Sequence, residues 1–192
     1  MAQYPFRHAP LALELASTIF AVDGQMHDGL GTSADLAAWF SLNHLRVPRP
    51  TRAAAAGQLD RFRALRSAVR ELFAAAVEGR SPAPAGVALL NELSAAAPRW
   101  ARLDWHSQTP RRTCVEVAHK PSVVVRASVA RSCIDVLTGP ERERLSVCRA
   151  PGCVLFFLKE GGRREWCSAQ CGNRARVARH YQRHHVRVVH CE

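Results

Sequence analysis

Cys148-Arg149-Ala150-Pro151-Gly152-Cys153, followed by Arg163-Arg164-Glu165-Trp166-Cys167-Ser168-Ala169-Gln170-Cys171-Gly172-Asn173-Arg174, carries four of the seven cysteines in a chain of 192 residues. They form two short-spaced pairs, C-x4-C and C-x3-C. Zinc takes four ligands in a tetrahedron, and two thiolates from one tight loop can fill two of its corners. Pro151-Gly152 is a turn that brings Cys148 and Cys153 together. Cys167 and Cys171 are one helical turn apart and share a helix side. Between the pairs, residues 154–158 read as a strand, Gly161-Gly162 as a turn and residues 163–166 as a returning strand, so a β-hairpin joins the ligand pairs. A segment of about 40 residues buries too little apolar surface to fold alone. Structural zinc supplies the deficit, on the order of 10 kcal/mol. Phe156 or Phe157 with Trp166 forms its small apolar cluster. Four thiolates close the coordination sphere, so the expected cofactor is one structural Zn2+, with no position left for catalysis.

After Cys171 no acid appears until Glu192. Ala175, Ala178 and Tyr181 can pack back on the metal module. Arg176, Arg179 with His180, Arg183 and Arg187 form a second face at helical spacing. A metal-anchored helix with one basic face suits phosphates and the major groove. Arg reads guanine and Asn reads adenine by paired hydrogen bonds. The expected nucleic-acid contacts are Arg163, Arg164, Asn173, Arg174, Arg176, Arg179, Arg183 and Arg187. Charge and spacing alone allow RNA, including ribosomal RNA, as readily as duplex DNA, or an acidic protein partner.

Composition agrees. The formal charge is +11 and the pI about 10.3, with 47% hydrophobic residues. That combination describes a globular protein drawn to polyanions rather than a disordered chain. No apolar run approaches the roughly 18 residues of a membrane span. No signal peptide opens the chain, so the expected location is the cytoplasm, where clustered cysteines mean metal rather than disulfides.

The first 139 residues read as mainly helical. Leu11, Leu15, Ile19 and Val22 trace a helix from Pro10 to about Val22. Thr32-Ser33-Ala34-Asp35 resembles a capping box opening a helix that carries Trp39 and Phe40, a core-facing aromatic pair. Residues 44–50 form a Pro-punctuated linker. A long helix over 51–78 buries Leu59, Phe62, Leu65, Val69, Leu72, Phe73 and Ala76, with Arg61, Arg63, Arg66 and Arg70 on a solvated face. Val87, Leu89, Leu90 and Leu93 predict a short helix. Residues 99–106 and 112–119 predict a β-hairpin turning at 108–111. Residues 122–137 predict another helix, stopped at Gly139. Cys114 and Cys133 lie on apolar elements and are expected in the core. The charged run 141–144 marks the boundary between domains 1–139 and 140–192. There is no phosphate loop, nucleophile elbow or other catalytic constellation, so an enzyme is not expected.

The C-terminal motif, Trp166-Cys167-Ser168-x2-Cys171-Gly172-Asn173-Arg174 with Cys148-x4-Cys153 upstream, resembles the CGNR zinc finger, a bacterial module. The resemblance implies zinc on Cys148, Cys153, Cys167 and Cys171, and DNA binding. Leu11-Ala12-Leu13-Glu14-Leu15-Ala16-Ser17-Thr18 and Leu30-Gly31-Thr32-Ser33-Ala34-Asp35-Leu36-Ala37-Ala38-Trp39 are similar to the ABATE domain that usually precedes it, described as a stress-induced transcription regulator. Ser17 stands where many members carry Asn, and Lys159-Glu160 where Asp is frequent. The expected protein is α+β: a mainly helical regulatory domain with a small β-hairpin, then a small zinc-stabilised β-hairpin–helix module. Its expected partners are double-stranded DNA, a second copy of itself, and a small-molecule or protein effector at the N-terminal domain.

Overall fold

The computed structural model describes residues 9–22, 24–42, 55–106, 108–117, 120–161 and 164–185. In chain order the elements are helix α1 (Leu11–Ala16), strands β1 (Ile19–Val22) and β2 (Gln25–Asp28), helices α2 (Ser33–Leu42), α3 (Leu59–Glu78) and α4 (Pro84–Ala95), strands β3 (Arg99–His106) and β4 (Thr109–Glu116), helices α5 (Pro121–Thr138) and α6 (Glu141–Arg144), strands β5 (Leu145–Val147) and β6 (Phe156–Leu158), and helix α7 (Ala169–His185). The strands make three separate antiparallel hairpins, β1–β2, β3–β4 and β5–β6. The fold is thus α+β with a mostly helical N-terminal part.

α3 is the central element. Its buried residues include Phe62, Leu65, Val69, Leu72 and Phe73, as the apolar spacing predicts. Around it pack α1, α2, α4 and α5, with Leu13, Leu15, Leu36, Trp39, Phe40, Leu90, Val125 and Val129 all buried. Trp39, Phe40 and Phe62 meet edge-on or tilted, with centroids 5.3–6.0 Å apart, a favourable aromatic arrangement. The capping box forms: the Asp35 amide donates to Thr32 Oγ1 at 3.2 Å and the Thr32 amide to Asp35 Oδ2 at 2.8 Å. α3 ends at Gly79, whose φ of +68° suits glycine and lets the last turn close on the Ala75 carbonyl.

Four expectations are corrected. The first helix stops at Ala16 rather than running to Val22. The Thr18 hydroxyl claims the Leu15 carbonyl at 2.8 Å, and the chain then extends as β1, paired with β2; a local side-chain bond competes with the helix ladder. The long helix begins at Leu59, after a turn at Gly57-Gln58, where glycine costs helix stability; residues 43–54 lie outside the described ones, as does the expected linker. The second strand of the middle hairpin begins at Thr109, not 112, and Pro110 sits within it opposite Trp105. Cys133 is buried as expected, but Cys114 is exposed, because both faces of β3–β4 stand largely in solvent.

The arginines of α3 are also not a solvated face. Arg66 recurs with Phe62, Val69 and Phe73 at core spacing and is only 4% exposed. It forks onto Asp28, at 2.5 and 2.8 Å, and reaches Thr18 Oγ1 at 3.0 Å. Arg63 donates to the Leu30 and Gly31 carbonyls at 3.0 and 2.8 Å. Arg70 donates to the Ala16 carbonyl at 2.8 Å and the Val154 carbonyl at 2.9 Å. Buried guanidinium groups need such partners to offset desolvation. Together they fasten the β1–β2 hairpin and the loop after it to α3. Arg61 alone of the four is exposed without such a role.

Candidate metal centre

The metal module is built on a hairpin, but not the expected one. β6 pairs with β5, which precedes Cys148, in the register Leu145↔Leu158, Ser146↔Phe157 and Val147↔Phe156. Residues 164–168 form no strand. The reason lies in the ladder: the Cys148 amide donates to the Leu155 carbonyl at 2.8 Å, extending β5–β6 up to the first ligand. The C-x4-C loop is therefore the end of this hairpin. The Cys153 amide donates to the Ala150 carbonyl at 3.0 Å, and Gly152 takes φ +72° to close the knuckle. Cys171 lies in the first turn of α7 and Cys167 just ahead of the helix, so the two do not share one helical turn as the spacing predicts. Ser168 caps this helix, its hydroxyl accepting the Cys171 amide at 3.2 Å.

The four sulfurs, from Cys148, Cys153, Cys167 and Cys171, all lie within 4.8 Å of one another. Cys153 and Cys167 sulfurs are 3.8 Å apart, and Cys167 and Cys171 sulfurs 3.5 Å. Zinc–sulfur bonds of about 2.3 Å in a tetrahedron put the sulfurs about 3.8 Å apart, so the set fits one zinc ion. Cys148, Cys167 and Cys171 are buried and Cys153 half-buried. Hydrogen bonds with the Cys153 and Cys167 thiols hold the Cys148 sulfur well below the ordinary thiol range, while the hydrogen bonds of Cys167 to Cys148 and Cys153, and then burial, push the Cys167 thiol up. Four thiolates at this spacing repel one another, and a divalent cation at their centre removes the conflict.

A second layer of groups holds the sulfurs. The Cys167 amide donates to Cys148 Sγ at 3.4 Å. Arg174 brings a guanidinium nitrogen 3.2 Å from Cys171 Sγ, a charge-assisted contact to a thiolate ligand. Arg164 braces the loop from inside: its Nε donates to the Trp166 carbonyl at 3.0 Å, a second nitrogen to the Cys167 carbonyl at 2.5 Å, and its plane lies over Phe157. The small core beneath comprises Leu155, Phe157 and Ala175, with Phe20 of β1 and Trp166 packed on it. Phe156, one residue on, turns to the large core and meets Phe73 at 5.8 Å.

Of the basic residues singled out in the sequence, Arg164 and Arg174 thus face the metal loop. Arg176, Arg179 and Arg183 are exposed on α7, and the Arg179 guanidinium lies over Trp166 at 5.4 Å. Asn173 is exposed and its Oδ1 accepts a bond from Arg176. Arg163 and Arg187 lie outside the described residues. Ala175 is buried and Ala178 half-buried, but Tyr181 is 59% exposed, so α7 leaves the module after two turns. Arg70, Phe20 and the bracing role of Arg174 escape a sequence reading. The first two act across more than 80 residues; only the i, i+3 spacing of Cys171 and Arg174 hinted at the third.

Among the described residues no helix is long and apolar enough to cross a membrane. Among curated proteins none matches the chain. Two family models do match it. Residues 144–184 match the CGNR zinc finger, and residues 9–140 match ABATE, described as "Putative stress-induced transcription regulator". The second match spans more than half of the chain, and the four-sulfur cluster falls inside the first: the protein belongs to the ABATE family and carries a CGNR zinc finger at its C-terminal end.

Proposed function

We propose that this chain is a cytoplasmic, zinc-containing regulator of transcription that binds double-stranded DNA through α7. The observation that carries the reading is the placement of three exposed arginines, Arg176, Arg179 and Arg183, on a helix that contains no Asp or Glu, whose first turn supplies Cys171 and which starts just after Cys167, these being two of the four clustered cysteines. A single-signed helical face is repulsive without a polyanion. Anchoring its first turn to a metal fixes the direction of the face, which lowers the ordering cost of binding. Zinc would be held by Cys148, Cys153, Cys167 and Cys171 and would supply folding energy, not chemistry. Arg163 and Arg187 would add phosphate contacts at the two ends. Asn173 is available for base contact once its bond to Arg176 is exchanged.

In this reading residues 1–139 form the regulatory domain and 140–192 the reader. The regulatory domain carries self-association and receives an effector. An open cleft of about 320 Å³, lined by Arg99, Ser132, Asp135 and Glu141 and by Leu11 and Val136, offers a mixed polar and apolar place for one. No catalysis is assigned.

The test is duplex binding by the zinc-loaded protein across a salt series, with a structured RNA as competitor. Affinity should fall steeply with salt, and Arg179→Ala should flatten the slope by about one phosphate contact. An affinity that ignores both salt and Arg179→Ala overturns the reading. Preference for the RNA moves the protein to an RNA-binding class.

A further inference from the structure

The β3–β4 hairpin is not absorbed by the zinc site or by the large core. Trp100, Leu103 and Trp105 are 53%, 65% and 64% exposed. A lone two-stranded ribbon is marginally stable in water, and large apolar groups exposed together on one element mark an interaction surface. Its base is pinned: Arg131 of α5 donates to the Ala97 carbonyl at 2.9 Å and lies 3.9 Å from Glu116. The rest projects.

The register says which groups are open. Beyond the paired residues, the Val117 amide donates to the Pro98 carbonyl at 3.4 Å. These two positions continue the Arg99↔Glu116 register. Bonded pairs alternate along an antiparallel ladder, so Trp100, Arg102, Asp104 and His106 face β4 with their amides and carbonyls. Those of Arg99, Ala101, Leu103 and Trp105 point off the free edge of β3. That edge has no proline and no bulge; its blunting charges are Arg99, Arg102 and Asp104, which a pairing strand must answer in sign. The edge of β4 is blunted: Pro110 has no N–H to give, and Glu116 is engaged by Arg131.

We propose that β3 pairs antiparallel with β3 of a second copy of this chain, making a four-stranded sheet with its two-fold axis at Leu103. In that register Leu103 meets Leu103, Ala101 meets Trp105 and Trp100 meets His106. Arg102 meets Asp104 twice. On one face Leu103, Trp105 and Ala101 of both copies form a single apolar patch; on the other the two ion pairs flank it. Sliding either way to the next register that keeps the faces sets Arg102 against Arg102 or Asp104 against Asp104, and like charges directly opposite are destabilising. The charge order of β3 therefore selects one register. Within one chain Arg102 and Asp104 already lie 3.3 Å apart, so in the pair they become a four-charge cluster. This assignment rests on the self-association reading alone and not on what α7 binds.

The experiment is sedimentation equilibrium of the full zinc-loaded chain, with nucleic acid removed, over a hundredfold concentration range. Wild type should rise toward twice the 21.2 kDa chain mass. Asp104→Arg should weaken the dimer at least tenfold. Adding Arg102→Asp to that variant should restore it, since the double exchange makes both pairs between the copies opposite in sign again, while the arginine set opposite Arg111 within the hairpin is common to both variants. Zinc content together with the far-ultraviolet dichroism and urea midpoint of all three proteins reports that each is folded. A wild type that stays at one chain mass overturns the proposal, as does a dimer indifferent to Asp104→Arg, or one that the second change does not restore. A monomeric wild type whose DNA affinity falls on Arg102→Asp would make the hairpin a nucleic-acid contact instead.

Discussion

The Arg70 guanidinium donates to the Val154 carbonyl at 2.9 Å while its other arm holds the Ala16 carbonyl at 2.8 Å. One side chain of the central helix thus ties the end of α1 to the loop between the first zinc ligands and β6. It also lies 5.3 Å from the Phe156 ring centroid. The helical domain and the metal module share this contact, and Leu145 and Phe156 share the large core.

Removing that tie leaves two carbonyls short of a charged donor. Arg70→Ala should lower the unfolding free energy of the zinc-loaded protein by roughly 2–4 kcal/mol. Urea titration followed by far-ultraviolet dichroism measures it. A loss under about 0.5 kcal/mol, the scale of an ordinary surface change, would mean that the tie contributes little.

Arg66 holds the Asp28 carboxyl below its ordinary value of 3.8, chiefly through their hydrogen bond. A carboxyl depressed on folding stabilises the native state above its unfolded value, and the contribution disappears as pH falls through the folded one. Asp28→Asn should therefore destabilise the protein at neutral pH. The gap between the two proteins should close on acidification below pH 3.8, the ordinary value. The difference between their stability curves separates this from acid release of the metal; a gap that stays constant with pH would count against the linkage.

Zinc should copurify at about one ion per chain, by mass spectrometry of the metal. Cys148→Ser should lose most of it, because three thiolates and a hydroxyl make a poorer set. Chelation should unravel α7 and the Cys148–Cys153 knuckle while the helices around α3 persist, visible as partial loss of helical signal. Full metal in the serine variant would break the four-thiolate assignment.

Arg174 and Arg183 sit on the same helix with different tasks. Arg174→Ala should raise the rate of zinc loss to a chelator by roughly 10-fold or more, the usual scale for a lost neighbour of a ligand. Arg183→Ala should leave that rate unchanged. Equal effects would mean that the Arg174 contact to Cys171 does not tune the metal.

Cys114 is exposed and Cys133 is buried, with burial pushing the Cys133 thiol up to about 12. Thiolate is the reactive form. Peptide mapping after brief maleimide treatment of zinc-loaded protein should find Cys114 labelled and Cys133 untouched. Labelling of Cys133 first would contradict the packing of α5.

The sequence was legible where a local rule acts alone. Apolar spacing located the stripe of α3, the Thr32–Asp35 box gave the start of α2, and two cysteine pairs announced the metal. It misled where a distant partner decides. The strand after Cys153 has neighbours on both sides in the chain, and spacing favours the later one. The amide of Cys148 instead continues the ladder from β5, so β6 turns back to residues ahead of the first ligand.

The metal-binding set and the basic face of α7 were thus written in the order of residues, because ligand spacing and helical period are short-range properties. The direction of Arg66 and Arg70 was not. On a helix wheel they are four charges' worth of surface with Arg61 and Arg63. Only the folded chain supplies Asp28, Thr18, Ala16 and Val154, whose oxygens make burying two guanidinium groups favourable. The tertiary structure likewise decided that Cys114 is exposed and that β3 keeps a free edge, since no other element of the described chain reaches that hairpin to pair with it.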